Sequence, residues 1–138
     1  MNYEQISKDV MKHLYQAHEM LTQSELEPQL RALVELRVSQ INGCAYCCAM
    51  HAHEARQLGI EQTVLDRLSG WSLSSAFNDQ QKIALAWAES VTQFLPNRHD
   101  LLAELHSHFS EKEIADLTLV ISLMNAFNRI AISIGDHH

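Results

Sequence analysis

Apolar residues recur at intervals of three and four along most of the chain, the spacing of one face of an α-helix. From Tyr3 to about Leu21 the pattern runs through Ile6, Val10, Met11, Leu14, Tyr15, Ala17 and Leu21, and Asn2, with Gln5 three positions on, is placed to cap it. Ser24-Glu25-Leu26-Glu27 has the form of a capping box, and Pro28 falls in a first turn, where a missing N–H costs nothing. A second helix is predicted from there to about Ile41, with Leu30, Leu33, Val34, Val38 and Ile41 as its stripe and Leu36 and Arg37 flanking it. Asn42-Gly43 stops it, because both residues tolerate the left-handed conformation of a helix C-terminus. A third helix is predicted from about Cys44 to Leu58-Gly59 and a short fourth from Glu61 to Leu68. A fifth runs from Asn78 or Asp79 through Phe94, and a short sixth from Asp100 to Phe109. The capping box Ser110-Glu111-Lys112-Glu113 opens a last helix ending near Ile134. Ser69 to Asn78 is the longest loop-like stretch, with Trp71 and Phe77 expected to be pinned to the core. The last helix is apolar nearly all round, which predicts burial against another subunit as well as its own core. The expectation is an all-α fold of about seven helices, one domain over residues 1–138, assembled as a homo-oligomer.

Composition agrees with helices and narrows the partners. Gly (4) and Pro (2) are scarce in 138 residues, and 46% of the residues are hydrophobic, enough for a real core. The net charge of −7 comes without any basic block or face, which argues against nucleic acid and anionic membrane surfaces. The first residues lack a basic stretch followed by an apolar run, so no signal peptide is expected. No window approaches 18 consecutive apolar residues, so no membrane-spanning helix is expected either. A soluble, cytoplasmic protein is the resulting expectation.

The chemistry concentrates in Ile41-Asn42-Gly43-Cys44-Ala45-Tyr46-Cys47-Cys48-Ala49-Met50-His51-Ala52-His53-Glu54, which holds all three cysteines of the chain. Clustered cysteines in odd number point to redox or metal chemistry rather than a disulfide framework. Cys44 falls at a helix start and Cys47 one turn in, where unpaired N–H groups and the helix dipole favour thiolate. A separation of three residues puts both sulfurs on one face, close enough to bridge. One thiolate can attack and the other resolve the product as a disulfide, the logic of peroxide reduction or dithiol exchange. His51 shares that face and suits a proton relay, while Cys48 is rotated by about 100° and reads as a small buried hydrophobe. His53 reads as a surface residue. A carboxylate is needed to orient the histidine, and Glu35, in the preceding helix among Leu33, Val34, Leu36 and Val38, is the candidate; pairing with Arg31 or Arg37 is its structural alternative. Zinc held by Cys44, Cys47 and His51, with His106 and His108 as the further ligand pair, is the competing chemistry. Tyr46, with Trp71 or Phe127, is expected to line a substrate pocket. The chemistry calls for no cofactor and no metal.

Leu36-Arg37-Val38-Ser39-Gln40-Ile41-Asn42-Gly43-Cys44-Ala45-Tyr46-Cys47 together with His51 resembles the alkylhydroperoxidase AhpD-like family of the carboxymuconolactone decarboxylase superfamily. Lys82-Ile83-Ala84-Leu85-Ala86-Trp87-Ala88-Glu89 and Asn125-Ala126-Phe127-Asn128-Arg129 extend the resemblance over most of the chain from about residue 30. It implies a helical fold assembled as trimers or hexamers. It implies a peroxidase that reduces hydroperoxides through a dithiol–disulfide cycle and is itself reduced by a dithiol, such as a lipoylated protein. By position, Cys47 matches the cysteine that becomes a sulfenic acid, Cys44 the proton donor and resolving cysteine, and His51 the relay histidine. Two departures predict weak turnover or a different substrate. Tyr46 stands where the best-studied members have a histidine, and their relay glutamate matches Ala32, one helical turn before Glu35. The superfamily's decarboxylases use no cysteine pair, so that activity is not expected. The alternative is a redox-sensing or zinc-binding module without turnover.

Overall fold

The computed structural model describes residues 1–137, and all regular structure among them is helical: α1 (Tyr3–Ile6), α2 (Lys8–Leu21), α3 (Pro28–Asn42), α4 (Ala45–Gln57), α5 (Gln62–Leu65), a 3₁₀ helix (Leu68–Leu73), α6 (Asp79–Gln93), α7 (Arg98–Leu105) and α8 (Glu111–Ile134). α3 is the hub. It packs against α4, α6 and α8, and it buries Leu30, Ala32, Leu33, Val34, Leu36, Val38 and even Glu35 and Ser39. The stripe expected on this helix is therefore too narrow, since apolar contact surrounds it. Each fully buried Leu or Val stabilises the fold by about 1.5–3 kcal/mol relative to exposure.

Element boundaries follow capping chemistry where side chains do the capping. Asn78 and Ser110 each accept from the third backbone N–H of their helix, and Gln81 and Glu113 reach back to complete both boxes. Asn2 caps α1 through Gln5 N–H at 3.3 Å. The expected first helix is in fact two, because Ser7 leaves helical geometry (φ −116°, ψ 43°). Its expected stripe is also only partly buried: Met11 and Leu21 reach the core, while Ile6 and Val10 stay exposed. Ser24 is not a helix cap. Its hydroxyl donates to Asp116 Oδ2 on α8 at 2.7 Å and accepts from Leu26 N–H, so α3 starts later, with Pro28 in its first turn. The stretch after Leu68 is not a loop throughout, since Leu68–Leu73 turns as a 3₁₀ helix.

α8 carries mean hydropathy of 1.6 over a membrane-length window. By length and composition it could cross a bilayer, although no uninterrupted apolar run announces this. Here it serves as a core helix, contacting α2, α3, α4 and α6. Buried Asn128 donates to Ser39 Oγ (3.1 Å) and accepts from Asn42 (3.0 Å), and Asn42 also donates to Asn125. This buried amide network ties the end of α3 to α8 directly beneath the cysteines. The two chain ends meet nearby: the amino group of Met1 donates to the Ile134 carbonyl at 2.7 Å, and the His137 ring stacks on Tyr46.

Candidate active site

The link between α3 and α4 is two residues, Gly43 and Cys44. Gly43 adopts φ +72°. Its N–H donates to the Gln40 carbonyl while the Cys44 N–H donates to Ser39, the two bonds of a Schellman motif. Cys44 is at the same time the N-cap of α4, and its sulfur accepts from Cys47 N–H at 3.3 Å. Two helix ends therefore converge on Cys44, which fixes the dithiol without a loop. Cys44 and Cys47 are joined as a disulfide, with Cα atoms 5.2 Å apart. Both are buried, but only Cys47 lines the adjoining cavity of about 300 Å³.

His51, one turn after Cys47, lines the same cavity and is itself buried. Its Nδ1 faces two carboxylates, Glu54 Oε2 at 3.0 Å and Glu35 Oε2 at 3.4 Å. Ionised carboxylates only accept, so they hold the proton on Nδ1 and leave Nε2 as the basic nitrogen. The hydrogen bond from His51 keeps Glu54 ionised below the usual carboxylate range, against the opposing effect of burial. The other oxygen of Glu35 accepts from His18 Nε2 at 2.9 Å and lies 3.6 Å from Arg31 Nε. That hydrogen bond lifts His18 above the ordinary imidazole value, with partial burial working the other way. Glu35 is thus a buried carboxylate shared by two imidazoles and a guanidinium, and its two readings, orienting carboxylate and Arg31 partner, are both present in one side chain. Arg37 pairs with Glu89 instead.

Not every expected site residue gathers here. Tyr46 and Phe127 line the cavity. Trp71 does not: its indole N–H donates to Glu89 at 2.8 Å and it borders a separate cleft with His108 and Lys82. The 3₁₀ turns carry it toward α6, away from the cysteines. The N-terminal helices add Tyr3, Met11 and Tyr15, with Tyr15 stacked on Phe127, and α4 and α8 add Met50 and Met124. His53 and His106 are exposed, and Cys48 is half-buried against the core, where burial raises its thiol pKa. The zinc set through Cys44, Cys47 and His51 is closed in this state because both sulfurs are bonded to each other. The three side chains that could converge on a cation are Glu35, His51 and Glu54, within 4.8 Å of one another, but Arg31 beside Glu35 places a positive charge against them. Glu54 and His18 were not anticipated. Glu54 was open to the same helical arithmetic as His51, three residues on; His18 comes from a different helix and leaves no local signal.

A Cys-x-x-Cys disulfide at a helix start, with a buried histidine one turn on and two carboxylates against that histidine, is set in an all-helical domain. The chain belongs to the carboxymuconolactone decarboxylase family, whose model matches residues 8–90. It is 31% identical over 139 aligned positions to the uncharacterised protein YdfG of Bacillus subtilis, covering 99% of this chain and 94% of that one. Among solved structures it superposes with a TM-score of 0.93 on ATU0492 of Agrobacterium tumefaciens, a protein of unknown function for which a role as the antioxidant defence protein AhpD has been suggested. Identity there is 32%, covering 100% of this chain and 96% of that one. A peroxidase-related protein of Ralstonia eutropha with an alkylhydroperoxidase AhpD core shares the fold at a TM-score of 0.79 and 22% identity, covering 93% of this chain and 70% of that one. The fold is accordingly AhpD-like.

Proposed function

We propose that the protein is a thiol-dependent hydroperoxide reductase cycling between the Cys44/Cys47 dithiol and its disulfide. The observation that carries this reading is that Cys47, already bonded to Cys44, shares one cavity with His51. His51 Nε2 takes the proton of the Cys47 thiol; the thiolate attacks the distal peroxide oxygen, the O–O bond breaks, and the departing alkoxide takes that proton back from His51 to leave as an alcohol. Cys47 is left as a sulfenic acid. The Cys44 thiol then attacks the Cys47 sulfur, its own proton passing to the departing hydroxide, which leaves as water. Two electrons have passed from the dithiol to the peroxide. A dithiol donor, such as a lipoylated protein, returns them by thiol–disulfide exchange and is itself oxidised. Glu35 and Glu54 orient His51 and stabilise its charged form. Burial of Cys44 behind Cys47 supports the division into resolving and attacking sulfur. The exposed apolar side chains Val10, Met20 and Leu119 support self-assembly of the chain, with a trimer or hexamer as the expected form.

The test is intact mass of the reduced protein before and after cumene hydroperoxide. The expected result is loss of two hydrogens mapped to Cys44–Cys47, reversed by a dithiol and absent in Cys47→Ser. Unchanged thiols under excess peroxide, or a wild-type rate in Cys47→Ser, would overturn the reading.

A further inference from the structure

The cavity above Cys47 has a charge pattern that the peroxide chemistry does not require. Its walls are aromatic and thioether: Tyr15, Tyr46 and Phe127 with Met11, Met50 and Met124. Its polar rim carries two carboxylates, Glu4 and Glu54. Glu4 is exposed and held in place by the Tyr15 hydroxyl, which donates to its Oε1 at 2.6 Å. Burial, and then this hydrogen bond, raises the Tyr15 pKa, so Tyr15 stays a neutral donor to the Glu4 side chain. Among the described residues no Lys or Arg lines the cavity. Its two histidines are already committed, His18 to Glu35 and His51 to Glu35 and Glu54. Arg31 opens onto a different cleft, with Gln57 and Leu58. The Met1 amino group nearby is held by the Ile134 carbonyl and Asp136, so a carboxylate-bearing molecule entering here would meet two like charges and no lysine or arginine among the described lining residues, against walls that cannot solvate it.

We infer that this cavity admits uncharged or cationic apolar oxidants and rejects anionic ones, and that Glu4 is the residue that sets this filter at the mouth. Glu54 adds to the field while serving His51. The inference rests on the Cys44/Cys47 dithiol being the reacting centre. It deepens the peroxidase reading by naming the substrate class: a neutral organic hydroperoxide, such as an aryl hydroperoxide or an esterified lipid hydroperoxide, in preference to a free fatty-acid hydroperoxide. On the reducing side, the same filter favours an amide-linked dithiol over glutathione, which brings two carboxylates.

Disulfide probes test the filter without requiring peroxidase turnover. Reduced protein carrying Cys48→Ala, so that only the site thiols report, is mixed with neutral 4,4′-dithiodipyridine or with dianionic 5,5′-dithiobis(2-nitrobenzoate), and each rate is divided by that of dithiothreitol with the same probe. The normalised rate with the dianion is expected to be at least tenfold below that with the neutral probe at low salt. Adding 0.5 M sodium chloride should close most of that gap, because screening shortens to a few ångströms (about 3 Å at 1 M salt). Glu4→Gln keeps the acceptor for Tyr15 and removes one charge. It should raise the dianion rate about three- to fivefold at low salt, the Coulomb effect of one charge several ångströms away in a wet mouth, and leave the neutral probe unchanged. Glu111→Gln, at the far start of α8, controls for the overall net charge. Equal normalised rates for the two probes would overturn the inference, and so would a Glu111→Gln effect as large as that of Glu4→Gln. A parallel arm compares linoleic acid hydroperoxide with its methyl ester. A probe filter without reaction of either hydroperoxide upholds the charge filter and sinks the peroxidase reading; reaction of both hydroperoxides at one rate sinks the filter alone.

Discussion

Glu35→Gln is the most informative single change, because it removes one charge and almost no volume from the centre of the site. The wild-type carboxylate has a side-chain exposure of 4% and answers three donors: His18 at 2.9 Å, His51 at 3.4 Å and Arg31 at 3.6 Å. Arg31 Nε is buried with no hydrogen-bond partner of its own, so the nearby charge of Glu35 is its main compensation. With glutamine, the guanidinium stays 12% exposed without a counter-ion, and an amide NH₂ can be turned toward imidazole N–H groups that also donate. Removing one member of a buried ion pair costs about 3–5 kcal/mol. The imidazoles can shed their protons and Arg31 keeps some contact with water, which brings the expected loss to about 2–4 kcal/mol. For a domain of this size each kcal/mol lowers Tm by roughly 3–5 °C, so the variant should melt about 6–20 °C lower at pH 7.5. Urea unfolding followed by circular dichroism measures the loss directly, and a cycle with Arg31→Met should give a coupling above ~1.5 kcal/mol. Peroxide reduction should fall about 10–100-fold, as for loss of a carboxylate that orients a functional imidazole. A variant within ~0.5 kcal/mol of wild type would refute the picture of Glu35 as the charge centre. A destabilised variant with undiminished turnover would leave it a structural partner of Arg31 alone.

Two further substitutions probe the neighbours of that carboxylate and the backbone that carries the cysteines. His18 has its pKa raised in the folded state, so its pairing with Glu35 is fully present below the unfolded value of about 6.5 and fades as pH rises through the folded value. The stability gap between wild type and His18→Asn should therefore be widest near pH 6 and narrow toward pH 9 in urea titrations; a gap independent of pH would show that the hydrogen bond is not charge-assisted. Gly43→Ala should cost about 1–2 kcal/mol, because φ is +72° while no atom lies within 4 Å of the added methyl, so the penalty is backbone strain alone. Gly43→Asn should recover part of it, and an Ala variant as stable as wild type would mean that the Schellman turn does not hold Cys44.

What was legible in the sequence was whatever helical arithmetic connects. Cys44, Cys47 and His51 lie at intervals of three and four on one helix, so their meeting follows from the period, and the capping boxes at Asn78 and Ser110 depend on atoms three residues apart. Contacts between elements left weaker traces. Ser24 carries the same local signal as Ser110, yet a carboxylate on α8, Asp116, competes for its hydroxyl, and the tertiary bond wins. Trp71 looked like a pocket wall because aromatics are often walls; its indole N–H needed an acceptor, and Glu89 on α6 supplies one away from the site. Part of the wall is built instead by Tyr3 and Tyr15, from a helix pair whose amphipathic stripe is broken at Ser7 and largely exposed.

The displaced carboxylate illustrates how a site tolerates a shift of one turn. The family resemblance implies a relay glutamate at the position of Ala32, and Glu35, three residues on, stands on nearly the same face of α3. A carboxylate there reaches His51 Nδ1 only at 3.4 Å, longer than a good hydrogen bond, and Glu54 supplies the shorter contact at 3.0 Å from the helix of His51 itself. His51 Nδ1 thus faces two carboxylates, the nearer of them on its own helix. The small side chain of Ala32 lines the outer cleft beside His18, Glu35 and Glu54, which leaves the room for His18 to approach Glu35. Moving the glutamate back, as Ala32→Glu with Glu35→Ala, would crowd His18 out of that cleft and strand Arg31 in a new register. Ala32→Glu alone is therefore expected to displace His18 from that cleft and lower stability, and a urea midpoint equal to that of wild type would refute the packing argument.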